Sequence, residues 1–459
     1  MQINSVIFRE YDIRGTVDKE LSTEFARVLG RAYGTLAREH GLNRIGVGHD
    51  CRLSSPGYAE ALAHGIADEG LDVVLTGQGP TPQLYFSVFT LDLGGGIQVT
   101  GSHNPPDMNG FKILLGKQTL SGSDIQDLKR RCEAALSRPA AQIRGTISAV
   151  DIRQSYIDYI IDNCRPHMGP RKLKVVVDAG NGVGGMVGPA VLRGLGVDVQ
   201  ELYCEPDGRF PNHHPDPTEL KNIKDLVKAV RESKADFGIG WDGDADRIGV
   251  VDEVGNVVFG DMLLLIYGRS ILQEKPGATV IADVKCSSQL FNDLRSRGAN
   301  AIMWKTGHSL IKGKLKETNG DLAGEMSGHI FFKHRFFGFD DALYSSARLV
   351  EIMSCHTGPL SSLLDGIPAM ISTPEMRVDC PEAIKFKIAQ EAQGSFKEYK
   401  VETIDGVRIT FDKGWGLVRA SNTQPVLVMR FEAESEALLQ EYKKIVVDRI
   451  ETIKSSLSQ

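Results

Sequence analysis

The strongest constraint on the fold is one arrangement of residues that occurs three times along the chain. Each copy has a β-rich apolar run, an Asp, a loop of small residues, a helical pattern, and then Gly before a second apolar run. The copies begin at Arg44, Leu173 and Thr279, and their turn aspartates are Asp50, Asp178 and Asp283. The second runs follow these aspartates by 20, 18 and 15 residues, which is room for a loop and one short helix. The arrangement therefore predicts three βαβ units.

Each unit continues into a third apolar run that ends in a polar loop. These loops contain TGSHNPP near Thr100, DGDADR near Asp242 and GEMSGH near Glu325. Ligands of open α/β sheets bind at the carboxyl ends of the strands. We therefore expect the three loops to converge on one cleft.

A length of 459 residues predicts three or four domains. Beyond about residue 365 the pattern changes to alternating strands around GW and SN turns, followed by a long helical pattern, which is typical of a smaller α+β domain. The predicted domains are 1–147 (domain I), 148–252 (domain II), 253–364 (domain III) and 365–459 (domain IV).

Composition and charge exclude several classes of protein. The chain is 41% hydrophobic and 24% charged, which is typical of a packed globular protein, and its formal net charge of -6 without long runs of like charge argues against binding to nucleic acid or membranes. The start lacks the pattern of a secretory signal and no stretch approaches the roughly 20 apolar residues of a membrane helix, so we expect a cytoplasmic protein. Seven cysteines without a CxxC pair favour reduced core thiols.

The DGDADR loop is the candidate metal site. Asp242, Asp244 and Asp246 alternate along it, and three neighbouring carboxylates repel one another unless a divalent cation lies between them. A calcium EF-hand is excluded because Arg247 occupies the sixth position, where Gly is required, and because the following residues are typical of a hairpin. Carboxylate oxygens on a short loop favour Mg²⁺, although a solvated acidic turn is the structural alternative.

Ser102 is the candidate nucleophile. A serine hydroxyl needs a base, a metal or an attached phosphoryl group to react. His103 is adjacent, but neighbouring residues at a strand end usually point apart and the motif is not G-x-S-x-G, so we do not expect a direct Ser–His pair. A phosphoserine beside Mg²⁺ is the functional interpretation, and a capping serine is the structural one.

Two further loops carry polar groups suited to a sugar phosphate. RASNTQP offers Arg419, Ser421, Asn422 and Thr423 for a distal phosphate, although SNT is also ordinary turn chemistry. GEMSGH places Glu325 and Ser327 on one side of an extended segment, where both could bond sugar hydroxyls. A buried glutamate paired with a lysine is the alternative for Glu325.

These four loops, in this order over nearly the whole chain, resemble the α-D-phosphohexomutase superfamily. FREYDIRG near the N-terminus and GFKI at Gly110 also match. The resemblance implies a four-domain α/β fold, in which three topologically related α/β domains with mixed sheets and a C-terminal α+β domain surround a central cleft. Met326 in GEMSGH favours the phosphomannomutase/phosphoglucomutase type over phosphoglucosamine mutases. Ala245, where Gly is common, and Gln424 depart from the pattern without removing a reactive side chain.

The resemblance also implies a role for each matching residue. Ser102 is implied as the phosphoserine and a metal ligand, Asp242, Asp244 and Asp246 as the other Mg²⁺ ligands, Glu325 and Ser327 as sugar contacts, and Arg419, Ser421, Asn422 and Thr423 as the distal phosphate site. Further implied active-site positions are Tyr11, Arg14, His103, Asn104, Lys112, Arg247, Lys285, His308 and His329. Lys112, Arg14 or His329 would move the hydroxyl proton.

The implied reaction moves a phosphoryl group between the 1- and 6-positions of mannose or glucose phosphate. Phospho-Ser102 would form a 1,6-bisphosphate, which turns end for end and rephosphorylates the serine, so glucose or mannose 1,6-bisphosphate is the expected activator. A phosphoglucosamine mutase, a metal-dependent sugar phosphatase and a non-catalytic sugar-phosphate sensor are the alternatives. The expected partners are hexose phosphates, with no nucleic acid and no membrane, and the protein is expected to be a monomer or weak dimer.

Overall fold

A computed structural model describes residues 3–421 and 425–457 of the chain, apart from the side chain of Glu382. Four β-sheets organise this part of the chain. Three of them share one strand order, and the fourth is antiparallel.

The first sheet and its helices carry the TGSHNPP loop. Its strands are β1 (Ile13–Thr16), β2 (Arg44–His49), β3 (Asp72–Gln78), β4 (Gly95–Val99), β5 (Met108–Leu115), β6 (Gln118–Thr119) and β7 (Ile147–Ala149). Its helices are α1 (Thr23–Glu39), α2 (Ser55–Ala67), α3 (Thr81–Thr90) and α4 (Ser123–Ala135). Helix α1 begins where the Ser22 hydroxyl accepts the Phe25 N–H at 3.1 Å, and its apolar face packs on α2. These elements form the core of domain I.

The second and third sheets carry the other two loops. The second region contains α5 (Arg153–Cys164), β8 (Lys174–Asp178), α6 (Gly188–Gly194), β9 (Asp198–Leu202), α7 (Lys224–Ser233), β10 (Phe237–Trp241), β11 (Ile248–Val251) and β12 (Val257–Val258). The third contains α8 (Gly260–Glu274), β13 (Thr279–Asp283), α9 (Ser288–Ser296), β14 (Asn300–Trp304), α10 (His308–Glu317), β15 (Leu322–Gly324), β16 (Ile330–Phe332) and α11 (Ala342–Cys355).

The strand order confirms the threefold repeat that the sequence predicts. In each sheet the strand ending near the turn aspartate is central, with the second strand parallel on one side and the third parallel on the other. A fourth strand, β5, β11 or β16, then pairs antiparallel with the third. The mixed sheets follow from this last reversal, and the loop before it holds the candidate chemistry. The predicted hairpin after DGDADR is β11–β12.

The C-terminal region is the predicted α+β unit. Its elements are β17 (Ile371–Ser372), β18 (Met376–Asp379), α12 (Glu382–Ser395), β19 (Lys400–Glu402), β20 (Val407–Phe411), β21 (Gly414–Ala420), β22 (Val426–Ala433) and α13 (Glu436–Leu457). Helices α12 and α13 bury their apolar sides on β20–β22. The residue boundaries of the four domains stay a proposal; β7 and β12 end the first two sheets at residues 149 and 258.

An aromatic cluster joins the first three regions behind the loops. Phe336, Phe337 and Phe339 of the segment after β16 contact Phe86 and Phe89 of α3 together with tyrosines of α3, α5 and α11. Burial of large aromatic side chains is among the stronger contributions to packing. The cluster therefore fixes the segment that leads into Asp340. Within the described residues, no helix combines the length and apolar character needed to cross a membrane.

Candidate active site

The loops that follow β4, β10 and β15 meet, as the sequence predicts. The Ser102 hydroxyl donates to Asp242 Oδ2 at 2.9 Å, across 140 residues of sequence. Arg247 Nε donates to His329 Nε2 at 2.9 Å, and the two residues also form an isolated backbone bridge. One hydrogen bond joins the first loop to the second, and the other joins the second to the third.

Ser102 is held in an unusual backbone conformation. Its φ is +49°, its N–H donates to Thr100 Oγ1 at 2.9 Å, and the residue is 2% exposed. A left-handed conformation costs a non-glycine residue roughly 1–2 kcal/mol, so the surrounding contacts must hold it. This conformation directs the hydroxyl toward Asp242.

The expectation that Ser102 and His103 point apart is wrong. His103 Nδ1 lies 3.1 Å from the Ser102 hydroxyl, because the left-handed turn at Ser102 breaks the alternation of an extended strand. Burial, together with the positive charges of Arg247 and Arg14, lowers the pKa of His103 well below its ordinary value. His103 is therefore a neutral hydrogen-bond partner of the serine at physiological pH. Of its neighbour Asn104, the side-chain N–H₂ group is buried without a partner among the described residues.

The DGDADR turn brings three carboxylates together. Asp242, Asp244 and Asp246 are all 0% exposed, and one oxygen from each lies within 4.8 Å of the others. The backbone N–H groups of Asp246 and Arg247 both donate to Asp242 Oδ1 at 3.1 Å. Ala245 supports the turn with a φ of +57°, the conformation that the Gly common at this position would adopt without strain.

The charges and unpartnered oxygens of this cluster favour the binding of a cation. Burial and the charges of Asp244 and Asp246 raise the pKa of Asp242 well above its ordinary value. Burial also opposes ionisation of Asp244, but the Lys112 ammonium overrides it and lowers the pKa of that carboxyl. Asp244 Oδ1 and Asp246 Oδ1 are buried without hydrogen-bond partners in the described part of the chain. Buried, unpartnered carboxylate oxygens fit a hard divalent cation.

Lys112 partly balances these charges from β5. Its Nζ donates to Asp244 Oδ2 at 2.6 Å and also to Asp246 Oδ2. Although burial disfavours an ammonium, the aspartates raise the pKa of Lys112. Thr81 at the start of α3 donates to Asp244 Oδ2 at 2.5 Å. Domain I thus contributes Lys112 and Thr81, in addition to Ser102, as donors to the acidic loop of domain II.

His329 connects this cluster to Asp340, which the sequence analysis missed. His329 Nδ1 lies 3.3 Å from Asp340 Oδ2, and its Nε2 accepts from Arg247. Asp340 is 0% exposed and pairs with Lys312 Nζ at 2.9 Å. The lysine charge and the two histidines outweigh burial and hold the pKa of Asp340 well below its ordinary value. Because Arg247 Nε can only donate, His329 Nε2 is an acceptor, and the proton of the neutral ring lies on Nδ1, the nitrogen that faces the Asp340 carboxylate.

Asp340→Asn is expected to reduce kcat by on the order of 100-fold with little change in KM, because a neutral amide no longer stabilises the charge that His329 gains when it takes a proton. Steady-state kinetics with a hexose 1-phosphate, the substrate that the sequence resemblance implies, measure both constants. Asp321→Asn is the control. Asp321 is a buried acid that pairs with Lys275 and lies immediately before β15, at the end of the strand away from Glu325. Equal losses in the two variants, or a wild-type kcat in Asp340→Asn, would contradict the assignment.

The sugar-contact candidates lie between domains I and III. Glu325 is buried, accepts the Gly307 N–H at 2.6 Å, and has a pKa raised by burial. The ring centroids of Tyr11 and His308 are 6.0 Å apart, and the Tyr11 hydroxyl donates to the Thr306 carbonyl at 2.9 Å. Ser327 is half-buried. Arg14 of β1 is half-buried, and its Nε donates at 2.6 Å to Oδ2 of Asp12, the residue immediately before the strand.

The distal phosphate candidates belong to domain IV. Arg419 is 6% exposed and donates to Asp405 Oδ2 at 2.9 Å, and Asp405 Oδ2 also accepts the Thr306 N–H at 3.1 Å. The Ser421 N–H donates to the Val426 carbonyl at 3.0 Å, as the hairpin requires. Asn422 and Thr423 lie outside the described residues, so their predicted roles stay predictions. Asp405 bridges domains III and IV, and sequence alone gave no sign of it.

Lys285 links the same two domains. Its Nζ donates to Glu375 Oε2 at 3.2 Å, and Lys285 lies 3.9 Å from Asp283, the turn aspartate of the third repeat. The charge of Lys285, with a smaller contribution from Arg377, lowers the pKa of Glu375 to about 2. Met326 of GEMSGH contacts the Arg430 side chain of domain IV. Domain IV therefore contacts two loops of domain III, the one that carries Lys285 and the GEMSGH loop.

Glu375→Gln is expected to lower the free energy of unfolding at pH 7 by on the order of 2 kcal/mol. The folded-state pKa of Glu375 is below the ordinary 4.5, so its stabilisation is present above about pH 4.5 and is lost as the pH falls toward 2. Urea unfolding of both proteins between pH 7 and pH 3 measures this difference, which should shrink as the pH falls. A difference that does not depend on pH would contradict the ion pair.

Comparisons with known proteins decide the family. Four family models match in order: the alpha/beta/alpha domains I, II and III of phosphoglucomutase/phosphomannomutase match residues 5–138, 154–255 and 259–370, and the C-terminal domain of the same family matches residues 375–449. The chain belongs to the phosphoglucomutase/phosphomannomutase family. This confirms the superfamily resemblance and the four-domain α/β fold.

Individual relatives cover nearly the whole chain. The phosphomannomutase/phosphoglucomutase of Pseudomonas aeruginosa is 45% identical over 453 residues, which cover 98% of this chain and 96% of that protein. A phosphoglucomutase of Neisseria gonorrhoeae is 45% identical over 438 residues, or 95% and 94% of the two chains. A crystal structure of a phosphoglucomutase/phosphomannomutase family protein from Burkholderia thailandensis matches with a TM-score of 0.92 at 40% identity, covering 99% of this chain and 98% of that one. The chain is thus an isomerase of the intramolecular phosphotransferase class.

Proposed function

We propose that the protein interconverts the 1- and 6-phosphates of mannose and glucose through phospho-Ser102. The observation that carries this proposal is the Ser102 hydroxyl, 2.9 Å from Asp242 at the edge of three buried carboxylates. Phospho-Ser102 donates its phosphoryl group to the free hydroxyl of a hexose phosphate, which breaks the serine O–P bond and forms a 1,6-bisphosphate. After the sugar turns end for end, its other phosphate returns to Ser102. No phosphate is released to water.

Asp242, Asp244 and Asp246, with an oxygen of phospho-Ser102, would hold Mg²⁺. Their unpartnered buried oxygens and hard donor character fit this ion. When bound, Mg²⁺ polarises the phosphoryl group and offsets its charge. Arg247 adds a fixed positive charge beside the same loop, because its N–H and guanidinium are anchored by Asp242 and His329.

His329 is the best-placed group to take the proton of the attacking sugar hydroxyl. Its Nε2 accepts from Arg247 in the resting site, so it would exchange that bond for the sugar hydroxyl before taking the proton, and the Asp340 carboxylate, 3.3 Å from Nδ1, would stabilise the imidazolium. Lys112 is held as an ammonium by two aspartates, which makes it a poor base and a suitable partner for the phosphoryl oxygens. Arg14 is a guanidinium paired with Asp12 and is better suited to binding charge than to accepting a proton.

Substrate binding uses both sides of the cleft. We assign sugar hydroxyls to Glu325 and Ser327, and the phosphate not being transferred to Arg419, Ser421, Asn422 and Thr423. Lys285, His308, Tyr11, His103 and Asn104 would complete the site. Contacts to the 3- and 4-hydroxyls can exchange on inversion of the ring, whereas a loosely held 2-hydroxyl admits both mannose and glucose. Met326 favours these sugars over glucosamine. We further propose that the enzyme acts in the cytoplasm, as a monomer or weak dimer.

Intact mass and product assays test this function. Incubation with glucose 1,6-bisphosphate should raise the mass by one phosphoryl group located on Ser102, and mannose 1-phosphate and glucose 1-phosphate should turn over at comparable rates. Faster turnover of glucosamine 1-phosphate would favour a phosphoglucosamine mutase. Stoichiometric release of inorganic phosphate would identify a phosphatase, and binding without turnover a sensor. Each of these three results would overturn the proposal.

A further inference from the structure

Arg52, in the loop after the first turn aspartate, is bound to the phosphoserine loop by four hydrogen bonds. Its Nη2 donates to the carbonyls of Ser102 at 2.8 Å and Asn104 at 2.6 Å. Its Nη1 donates to the carbonyls of Pro105 at 2.6 Å and Met108 at 2.9 Å. Four carbonyls of one short loop therefore converge on a single guanidinium.

The guanidinium is itself fixed from below by Asp50. Asp50 Oδ2 lies 3.3 Å from Arg52 Nε and also accepts Thr100 Oγ1 at 2.8 Å and the Gly101 N–H at 3.1 Å. The Arg52 side chain is 0% exposed. A Cβ at Gly101 would lie 2.4 Å from Arg52 Nε, so the loop backbone is closely packed on the arginine. The turn aspartate of the first repeat thus supports the loop that holds Ser102.

Domain II covers the arginine from the other side. The Phe210 ring lies over the guanidinium at 5.0 Å from its centroid. A Cβ at Gly208 would lie 2.3 Å from the Cys51 carbonyl and 2.6 Å from the Arg52 Cα. Cys51 Sγ donates to the Asn181 carbonyl at 3.5 Å. The backbone of domain II around residues 181 and 207–210 therefore packs directly against residues 51 and 52.

We infer that Arg52 is a positioning residue that aligns the Ser102 loop of domain I with the acidic loop of domain II. Its four bonds hold the backbone that keeps Ser102 in its left-handed conformation, and its contact with domain II sets that loop against Asp242. Lysine has a single cationic centre and does not reproduce the planar fork that bonds four carbonyls. This inference rests on the proposed role of Ser102 as phosphoryl carrier.

Arg52→Met is expected to reduce kcat and the rate at which glucose 1,6-bisphosphate phosphorylates Ser102, each on the order of 100-fold, because small displacements of a reacting group have effects of this size. KM for hexose 1-phosphate should change much less than kcat, since the proposed contacts to the sugar hydroxyls and to the distal phosphate lie on other loops. Arg52→Lys should recover only part of the rate. Gly208→Ala should produce the same pattern without touching Arg52's own side chain.

Arg348→Met is the matched control. Arg348 is 1% exposed, lies in α11 and donates to the His334 carbonyl, so its loss should lower the melting temperature without changing the kcat of the folded protein. Hydrogen exchange of residues 101–109 should rise in Arg52→Met and stay unchanged in Arg348→Met. Failure of wild-type Ser102 to accept a phosphoryl group would remove the proposed function and this inference together. If the wild type is phosphorylated and Arg52→Met is phosphorylated at the same rate, this inference alone is overturned. A loss of kcat in Arg348→Met as large as the loss in Arg52→Met would also overturn it alone.

Discussion

Ser102→Ala is expected to abolish turnover, with kcat reduced by on the order of 10⁴-fold or more, because the variant lacks the hydroxyl that carries the phosphoryl group in the proposed reaction. The substitution removes only a hydroxyl, so the loop bonded to Arg52 and Asp50 should keep its shape. Isothermal titration with glucose 1-phosphate should therefore show nearly unchanged binding, while coupled assays detect no product.

Ser87→Ala is the control for this variant. Ser87 is a fully buried serine of α3 whose hydroxyl donates to the Leu84 carbonyl, away from the acidic cluster. Its loss should leave kcat unchanged and lower stability by about 1 kcal/mol. A Ser102→Ala protein that retains turnover within tenfold of the wild type would contradict the account of Ser102.

Asp242→Asn is expected to reduce kcat by on the order of 10³-fold and to leave the protein without added metal at least as stable as the wild type. The raised pKa of Asp242 reflects the cost of its buried charge beside Asp244 and Asp246, and an amide does not incur that cost. Mg²⁺ should raise the melting temperature of the wild type, because it binds the folded state, and should have little effect on the variant. Melting curves in EDTA and in Mg²⁺ measure both effects.

Asp252→Asn provides the comparison. Asp252 is buried in the β11–β12 hairpin, six residues beyond Asp246, and accepts the Val254 and Asn256 N–H groups through Oδ1. That variant should keep both its activity and its response to Mg²⁺. A strong Mg²⁺ response in Asp242→Asn, or a large loss of stability in EDTA, would show that the carboxylate has a structural role instead.

The threefold repeat could be predicted because its signals are local. Apolar runs define the strands, and Gly and Asp at their ends define the turns, so the order of elements and the convergence of three loops follow from sequence spacing and general rules of α/β folds. DGDADR places its carboxylates within five residues. Its chemistry is therefore visible without knowledge of any distant contact.

The residues that the sequence analysis missed act across long separations. Asp340 follows an aromatic segment and contacts Lys312 of α10 and His329, neither of which is related to it by a repeated spacing. Thr81 reaches Asp244 across 163 residues. Arg52 lies two residues after the turn aspartate Asp50, but the sequence does not indicate that its side chain bonds four backbone carbonyls.

The contact between Ser102 and His103 was mispredicted for a related reason. Adjacent side chains alternate along an extended strand, whereas the left-handed conformation of Ser102 brings its hydroxyl and the His103 ring together. Gly or Asn in a sequence can indicate a residue with positive φ, whereas serine does not. The left-handed conformation of Ser102 is seen only in the structure, where hydrogen bonds from the loop to Asp50 and Arg52 support it.

In the proposed reaction, one phosphoryl group passes from Ser102 to the sugar, and the phosphate at the other end of the sugar then replaces it on the serine. The most direct measurement starts with enzyme carrying ³²P on Ser102 and mixes it with unlabelled glucose 1-phosphate in a single turnover, followed by separation of the products. We expect label in glucose 1,6-bisphosphate and then at the 6-position of glucose 6-phosphate. Label released as inorganic phosphate, or label that stays on Ser102 while product accumulates, would contradict it.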